Sequence, residues 1–335
     1  MMPMWSPATT LTLTTLIMST LMALSSSNWM FMWASMELNL LSFIPVLASS
    51  KSNKEIEGGV KYFLAQALGS AMMLTSATML WSPYSPLPSL MPMMLMTAVL
   101  LKLGSAPCHF WYPSVMGSIS WSSCTILSSW QKLAPLSILI FFSLQSFNQI
   151  LPVVAGMNAL LGGVMGMNQS QLRTIMAYSS IGHLGWMMSF MIMNKPTMTM
   201  LYFMVYCSLI IPLFMMFNLL NLMTSKQLSK IPMISTSLQM SISIMLLSLA
   251  GLPPMTGFMP KLLTILVLAD FNTTLIFILI VGSLMNLFFY LNIIINMFMS
   301  EQNMKTILPK QNMQKNKLIL ILSGLMTMGL APMIM

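Results

Sequence analysis

Residues 96–135 read MTAVLLKLGSAPCHFWYPSVMGSISWSSCTILSSWQKLAP. The stretch has the form of two membrane helices joined by a turn. Each helix carries one lysine, Lys102 and Lys132, inside an otherwise apolar run. A cation at bilayer depth costs roughly 2.5–3.5 kcal/mol on insertion scales, so a hairpin that accepts the cost twice is expected to use the charges. Gly104, Pro107 and Pro113 interrupt the first helix just past its lysine. An interrupted helix beside a buried ion is the pattern of a transport site.

The rest of the chain agrees with a membrane reading. Of its 335 residues 57% are hydrophobic and only 6% charged, against about 25% charged in a soluble domain. Nearly every segment between turns is long enough to span, at about 20 residues per helix. The net charge of +9 is spread over loops and buried sites. No basic run is interleaved with aromatics, so nucleic acid is not expected as a partner. Cys108, Cys124 and Cys207 form no CxxC pair and are expected to be small apolar fillers, not metal or iron–sulfur ligands. The 44 methionines fit a mitochondrial code that reads an extra codon as Met, since packing tolerates Met for Leu at a cost below about 1.5 kcal/mol. The N-terminus has no basic leader and no Arg-rich transit segment, as expected of a chain made inside the organelle.

The expected fold is an all-α membrane protein of eleven transmembrane helices. The spans are 3–24, 28–48 with Glu37 near its middle, 59–81, 89–112, 119–144, 150–167, 172–193 with His183, 197–221, 233–270, 273–299 and 316–335. The ninth is too long for one straight pass and is interrupted at GLPPMTG by Gly251, Pro253, Pro254 and Gly257, with Lys261 just after. Alternating the loops puts Lys51, Lys54, Arg173, Lys226, Lys230, Lys305, Lys310, Lys315 and Lys317 on the side of the N-terminus and only Lys195 on the other. The positive-inside rule then places the N-terminus in the matrix and the C-terminus in the intermembrane space. Spans 4 and 9 are both broken next to a lysine, five spans apart. Five is odd, so a second copy enters the membrane inverted. The expected organisation is a first five-helix repeat over 1–144, a second over 145–299, and a matrix loop with a final helix over 300–335.

Glu37, Lys102, Lys132 and Lys261 are the candidate proton-transfer residues. The bland alternative for a membrane lysine is snorkelling to the interface, which a mid-span position such as Lys132 disfavours. For Glu37 it is a static tie to a lysine that fixes packing. Proline removes an N–H and displaces the carbonyl four residues back. Pro107 thus frees Leu103, and Pro253 and Pro254 free Leu249 and Ala250. Such carbonyls take water or polar side chains at bilayer depth, and water beside a lysine is a proton path. Moving one proton against roughly 150 mV costs about 3.5 kcal/mol. A swing of about 2.5 in one lysine's pKa supplies it, within the range that burial and a neighbouring carboxylate produce. His183 shares a helix face with Ser179 and Ser180 and suits a proton relay; the alternative is a hydrogen-bonded core histidine. His109 is either scaffold for the break or a water-path residue. Two histidines are too few for a pair of b-type haems. No Gly-rich dinucleotide fingerprint or Walker loop is present, and Asp270 is the only aspartate.

Five stretches carry a family resemblance: WASMELNLLSFIP (33–45), LKLGSAPCHFWYP (101–113), WQKLAP (130–135), NQSQLRTIMAYSSIGHLGW (168–186) and GLPPMTGFMPK (251–261). In this order the chain resembles the subunit 2 family of mitochondrial NADH:ubiquinone oxidoreductase (complex I), antiporter-like membrane subunits that pump protons. The resemblance implies that Glu37 is the modulating carboxylate, Lys102 its partner, Lys132 the central lysine and Lys261 the terminal one, with His183 at a polar position of the same axis. It implies an inner-membrane subunit with no cofactor of its own; NADH, flavin, iron–sulfur clusters and ubiquinone belong to other subunits. Subunits 4 and 4L, accessory subunits and inner-membrane lipids are its expected partners. Cys108 stands where the motif more often has Phe, and the three extra N-terminal helices of the longer bacterial members have no counterpart. A stand-alone cation/proton antiporter and a passive scaffold subunit are the alternative functions.

Overall fold

The computed structural model describes residues 7–49, 52–81, 90–143, 150–225, 227, 236–253 and 255–299. Pro254, Lys51, Lys226, Lys230, the lysines of 301–317 and the expected eleventh span lie outside them. The described residues form an all-helical membrane protein; their only β-type contact is an isolated bridge between Gln171 and Thr224. They divide into two compact units, within 1–147 and within 148–335.

The first unit holds α1 (Pro7–Ser25), α2 (Trp29–Ala48), α3 (Asn53–Trp81), α4 (Leu90–Leu103), α5 (Trp111–Ser118), α6 (Trp121–Ser128) and α7 (Trp130–Ser143). Helix α2 starts at Asn28, whose side chain accepts from the Met30 N–H at 3.3 Å, an N-cap that satisfies one of the orphan donors. Helix α3 packs on α2, α4 and α5, and α7 packs on α4 and α6. The expected span over 119–144 is two helices. Its helix stops at Ser129, where the backbone N–H and the hydroxyl both bond the Thr125 carbonyl, at 3.1 and 2.5 Å. Neither Gly nor Pro marks that interruption.

The second unit holds α8 (Ile150–Met167), α9 (Leu172–Ile192), α10 (Pro196–Leu219), α11 (Thr236–Ala250), α12 (Phe258–Leu268) and α13 (Thr273–Met299). Helix α9 is its centre and touches α8, α10, α12 and α13. Small residues permit the close approach: a Cβ on Gly185 would lie 2.6 Å from the Ala155 carbonyl oxygen, and one on Gly282 would lie 2.5 Å from that of Ala159. Among the described residues seven segments are long and apolar enough to cross a membrane, and α9 is not one of them. The reason is burial. Seventeen of its 21 residues are buried in the protein, among them its three serines, both glycines and its histidine. The serines of these helices are neutralised locally by bonding the carbonyl three residues back, as Ser35, Ser179 and Ser189 do at 2.7, 2.8 and 2.6 Å.

Helices α4, α11 and α12 are apolar but short. Helix α4, with 14 residues, is about 21 Å long against a hydrocarbon core of about 30 Å. Both α4 and α11 end in the same turn. Gly104 and Gly251 have φ of 70° and 79°, a left-handed conformation that glycine adopts without steric cost. At the first turn Gly104 N–H bonds Leu101 O and Ser105 N–H bonds Leu100 O, each at 3.1 Å. At the second, Gly251 N–H bonds Ser248 O at 3.0 Å and Leu252 N–H bonds Leu247 O at 3.3 Å. Two Schellman motifs, each followed by proline within three residues, thus end the helices that precede α5 and α12.

Candidate functional site

The first unit gathers two of the four candidate charges around one small cavity. Lys102 is the next-to-last residue of α4 and Lys132 the third of α7; they are 6% and 3% exposed. Both line a cavity of about 20 Å³ with Met36, Asn39, Tyr62, Gln66, Tyr112 and Gln131 among its other walls. That volume admits about one water molecule. The Lys102 ammonium donates to the Met36 thioether at 3.4 Å. The Lys132 ammonium stands over the Tyr112 ring, 4.6 Å from its centre, a cation–π contact. Glu37 is half-buried on α2, next in the chain to Met36, whose thioether takes the Lys102 ammonium, but it makes no ion pair with that lysine.

Two carbonyls at the end of α4 take side-chain donors. Trp111 Nε1 donates to Leu101 O at 2.9 Å, and Gln66 Nε2 to Lys102 O at 3.2 Å. Pro107 follows in a cis peptide with Ala106. His109 is buried, with Nδ1 3.2 Å from Pro107 O and its ring on Phe110, centroids 4.3 Å apart. It packs within the turn that joins α4 to α5.

The sequence reading missed an amide chain across the same cavity. Tyr62 Oη donates to Gln131 Oε1 at 3.3 Å, and Gln131 Nε2 donates to Asn39 Oδ1 at 2.9 Å. It ties α3, α7 and α2 together. Lys132 is therefore not set among apolar neighbours alone, as its own helix suggests. The available signal was the placement of Asn39, Gln66 and Gln131 inside apolar spans, where amides need partners.

The second unit holds Lys261 and His183. Lys261, 6% exposed, is the fourth residue of α12 and donates to Ala250 O at 2.6 Å. The carbonyl left free at the end of α11 is thus held by the candidate lysine itself. The fit is close: a Cβ on Gly251 would lie 2.8 Å from Lys261 Cδ and 2.9 Å from its Nζ. Gly257 presses on the Ser248 carbonyl so tightly that a Cβ would overlap it; Pro253 lies in the turn between. Lys261 Nζ is 5.9 Å from the Trp186 ring centre, and Trp186 stands three residues after His183 on α9. His183 Nδ1 and the Tyr202 hydroxyl are 2.9 Å apart, and the Tyr206 ring is 5.3 Å from the imidazole, centre to centre. On the same helix face the Ser179 hydroxyl, one turn before His183, bonds the Met176 carbonyl at 2.8 Å, and Tyr290 on α13 is buried in the same unit. These tyrosines were also missed; aromatic residues in an apolar span do not announce themselves as polar partners.

This arrangement has a recognisable relation to known proteins. Residues 26–286 match the family described as NADH:quinone oxidoreductase/Mrp antiporter, transmembrane. NADH-ubiquinone oxidoreductase chain 2 of Lumbricus terrestris is 56% identical over 330 residues, 98% of each chain. The protein of the same name from Locusta migratoria is 37% identical over 327 residues, 95% of this chain and 94% of that one. A chain of respiratory complex I from Thermus thermophilus shares the fold at a TM-score of 0.84 and 20% identity, covering 96% of this chain and 77% of that chain. A chain of the Mrp complex from Dietzia sp. DQ12-45-1b does so at a TM-score of 0.78 and 15% identity, covering 90% of this chain and 62% of that chain. With a family match over most of its length and a 56% identical relative end to end, the chain belongs to the NADH:quinone oxidoreductase/Mrp antiporter family, in its NADH-ubiquinone oxidoreductase chain 2 branch.

Proposed function

We propose that the chain is a proton-translocating membrane subunit of NADH:ubiquinone oxidoreductase in the inner mitochondrial membrane. The observation that carries the proposal is the pair of buried lysines, Lys102 and Lys132, on one cavity of water size. Each can hold or release a proton. One water between them relays it, and Glu37 on α2 biases the first. Lys261 and His183 are the corresponding stations of the second unit. Because Ala250 O accepts an N–H from either the ammonium or the neutral amine, the contact fixes Lys261 in place whatever its proton count.

The subunit itself does no redox chemistry. NADH, flavin, iron–sulfur clusters and ubiquinone act in other subunits, and the chain's neighbours are subunits 4 and 4L. Eleven spans form two five-helix repeats, with α4–α5 and α11–α12 as the interrupted fourth span of each. The shared Schellman turn at Gly104 and Gly251 supports that correspondence. The lysines flank it on opposite sides, Lys102 before the first turn and Lys261 after the second.

The test is Glu37→Gln in membranes carrying the variant. Turnover of ubiquinone coupled to pumping falls about twofold to tenfold, as loss of one charge–charge coupling of typical size predicts, and the amount of assembled complex on a blue-native gel stays normal. A loss of assembly with unchanged pumping per complex would make Glu37 a packing residue and favour a scaffold. Migration of the chain as a free species would favour a stand-alone antiporter.

Orientation follows the lysine asymmetry, with the N-terminus in the matrix. Lys54 and Lys195 are both exposed and fall on opposite sides by this scheme. In mitoplasts a membrane-impermeant thiol reagent labels Lys195→Cys at once and Lys54→Cys only after the inner membrane is opened. The reverse pattern inverts the topology.

A further inference from the structure

We infer that Gln131 is a positioning residue that sets the Lys102–Lys132 transfer geometry, a role resting on the proton-station reading above. Its amide uses both ends: Oε1 accepts from Tyr62 on α3, and Nε2 donates to Asn39 on α2. The three side chains line the same cavity as the two lysines. An amide does not pass protons on readily, so the tie acts by holding groups in place.

What it holds is a locally weakened piece of helix. Residues 130–134 lie between the interruption at Ser129 and Pro135. Proline lacks the N–H that would bond the Gln131 carbonyl. This turn therefore lacks that one main-chain bond, and its side-chain ties carry more of its placement. Lys132 is the residue next to the tie. Met36 and Asn39, one helical turn apart on α2, touch Lys102 and Gln131 respectively. One rigid face of α2 thus contacts both lysine-bearing helices. Releasing either end of the Gln131 amide frees the 130–134 turn and changes the gap that a single water bridges.

The test shortens the tie and then restores its length. Gln131→Asn removes one methylene and Asn39→Gln adds one on the facing side, so the double variant keeps the summed reach of the amide pair. In membranes carrying the assembled complex, Gln131→Asn lowers protons pumped per NADH oxidised with ubiquinone about twofold or more, and Asn39→Gln/Gln131→Asn recovers most of the loss. NADH oxidation by an artificial acceptor is unchanged in both. A packing defect would lower the amount of complex without changing protons per NADH. If Gln131→Asn does not accumulate, Tyr62→Phe removes a single hydroxyl from the same tie and is expected to lower the same ratio. A normal ratio in the measured variant, or a double variant no better than Gln131→Asn, overturns the inference. Lys132→Met run alongside separates the two levels. If it pumps normally the station reading fails; if it is impaired while Gln131→Asn is normal, only the positioning role fails.

Discussion

Lys132→Met yields an assembled complex whose NADH:ubiquinone turnover is severalfold lower, while NADH oxidation by an artificial acceptor stays at the wild-type rate. Methionine keeps the length and the apolar stem of lysine, and volume-conserving swaps cost below about 1.5 kcal/mol. The stem can still lie against Tyr112, whose ring the ammonium faces at 4.6 Å. What disappears is the titrating group on the cavity shared with Lys102. A proton reaching Lys102 then has no acceptor across the water. Because pumping and electron transfer are coupled, the blocked step slows ubiquinone reduction too, whereas the artificial acceptor takes electrons upstream of it. The measurement is both activities on membranes carrying the variant, with assembly followed on a native gel. Normal turnover together with normal pumping removes Lys132 from the list of proton stations.

Much of this site was legible in the sequence because membrane burial is costly in ways that residue types record. The helices follow apolar runs bounded by Pro, Gly and Asn, and Asn28 and Pro196 stand at helix starts. The helix ends at Gly104 and Gly251 were legible because a left-handed turn selects glycine and a following proline cannot continue the helix. The burial of Lys102, Lys132 and Lys261 follows from their distance to any polar flank. Three things were not legible. The stop at Ser129 coincides with a serine bonding the carbonyl four residues back, and serines that bond into their own turn elsewhere leave the helix intact, as Ser35 does with the carbonyl three back. The Tyr62–Gln131–Asn39 tie joins residues up to 92 apart in the chain, and periodicity within one helix carries no information about such a partner. The carbonyl of Ala250 was expected to take water or a polar side chain in general; which one depends on α12 folding back so that Lys261 meets it. The buried state of α9 was not legible either, since the helices packed around it are what make it the centre of the second unit.

That last contact makes Lys261→Met a different experiment from Lys132→Met, with two expected losses instead of one. Lys261 Nζ donates to Ala250 O at 2.6 Å, at the residue where α11 gives way to the Gly251 turn. Methionine fills the same space and offers no donor, so a buried carbonyl is left without this partner, at a cost of about 1–3 kcal/mol. The turn has little room to find a substitute, since a Cβ on Gly251 would already lie 2.8 Å from the Lys261 stem. The variant complex is therefore expected to lose ubiquinone-coupled turnover severalfold and also to denature at a lower temperature than wild type. Lys261→Arg separates the two effects. Its guanidinium still donates to a carbonyl but stays protonated at any physiological pH, so thermal stability returns toward wild type while turnover stays low. Thermal denaturation of the assembled complex and NADH:ubiquinone turnover, measured on both variants, decide the matter. Recovery of turnover by arginine would show that the residue serves the helix end and not the proton, and Lys261 would then join the scaffold of the second unit.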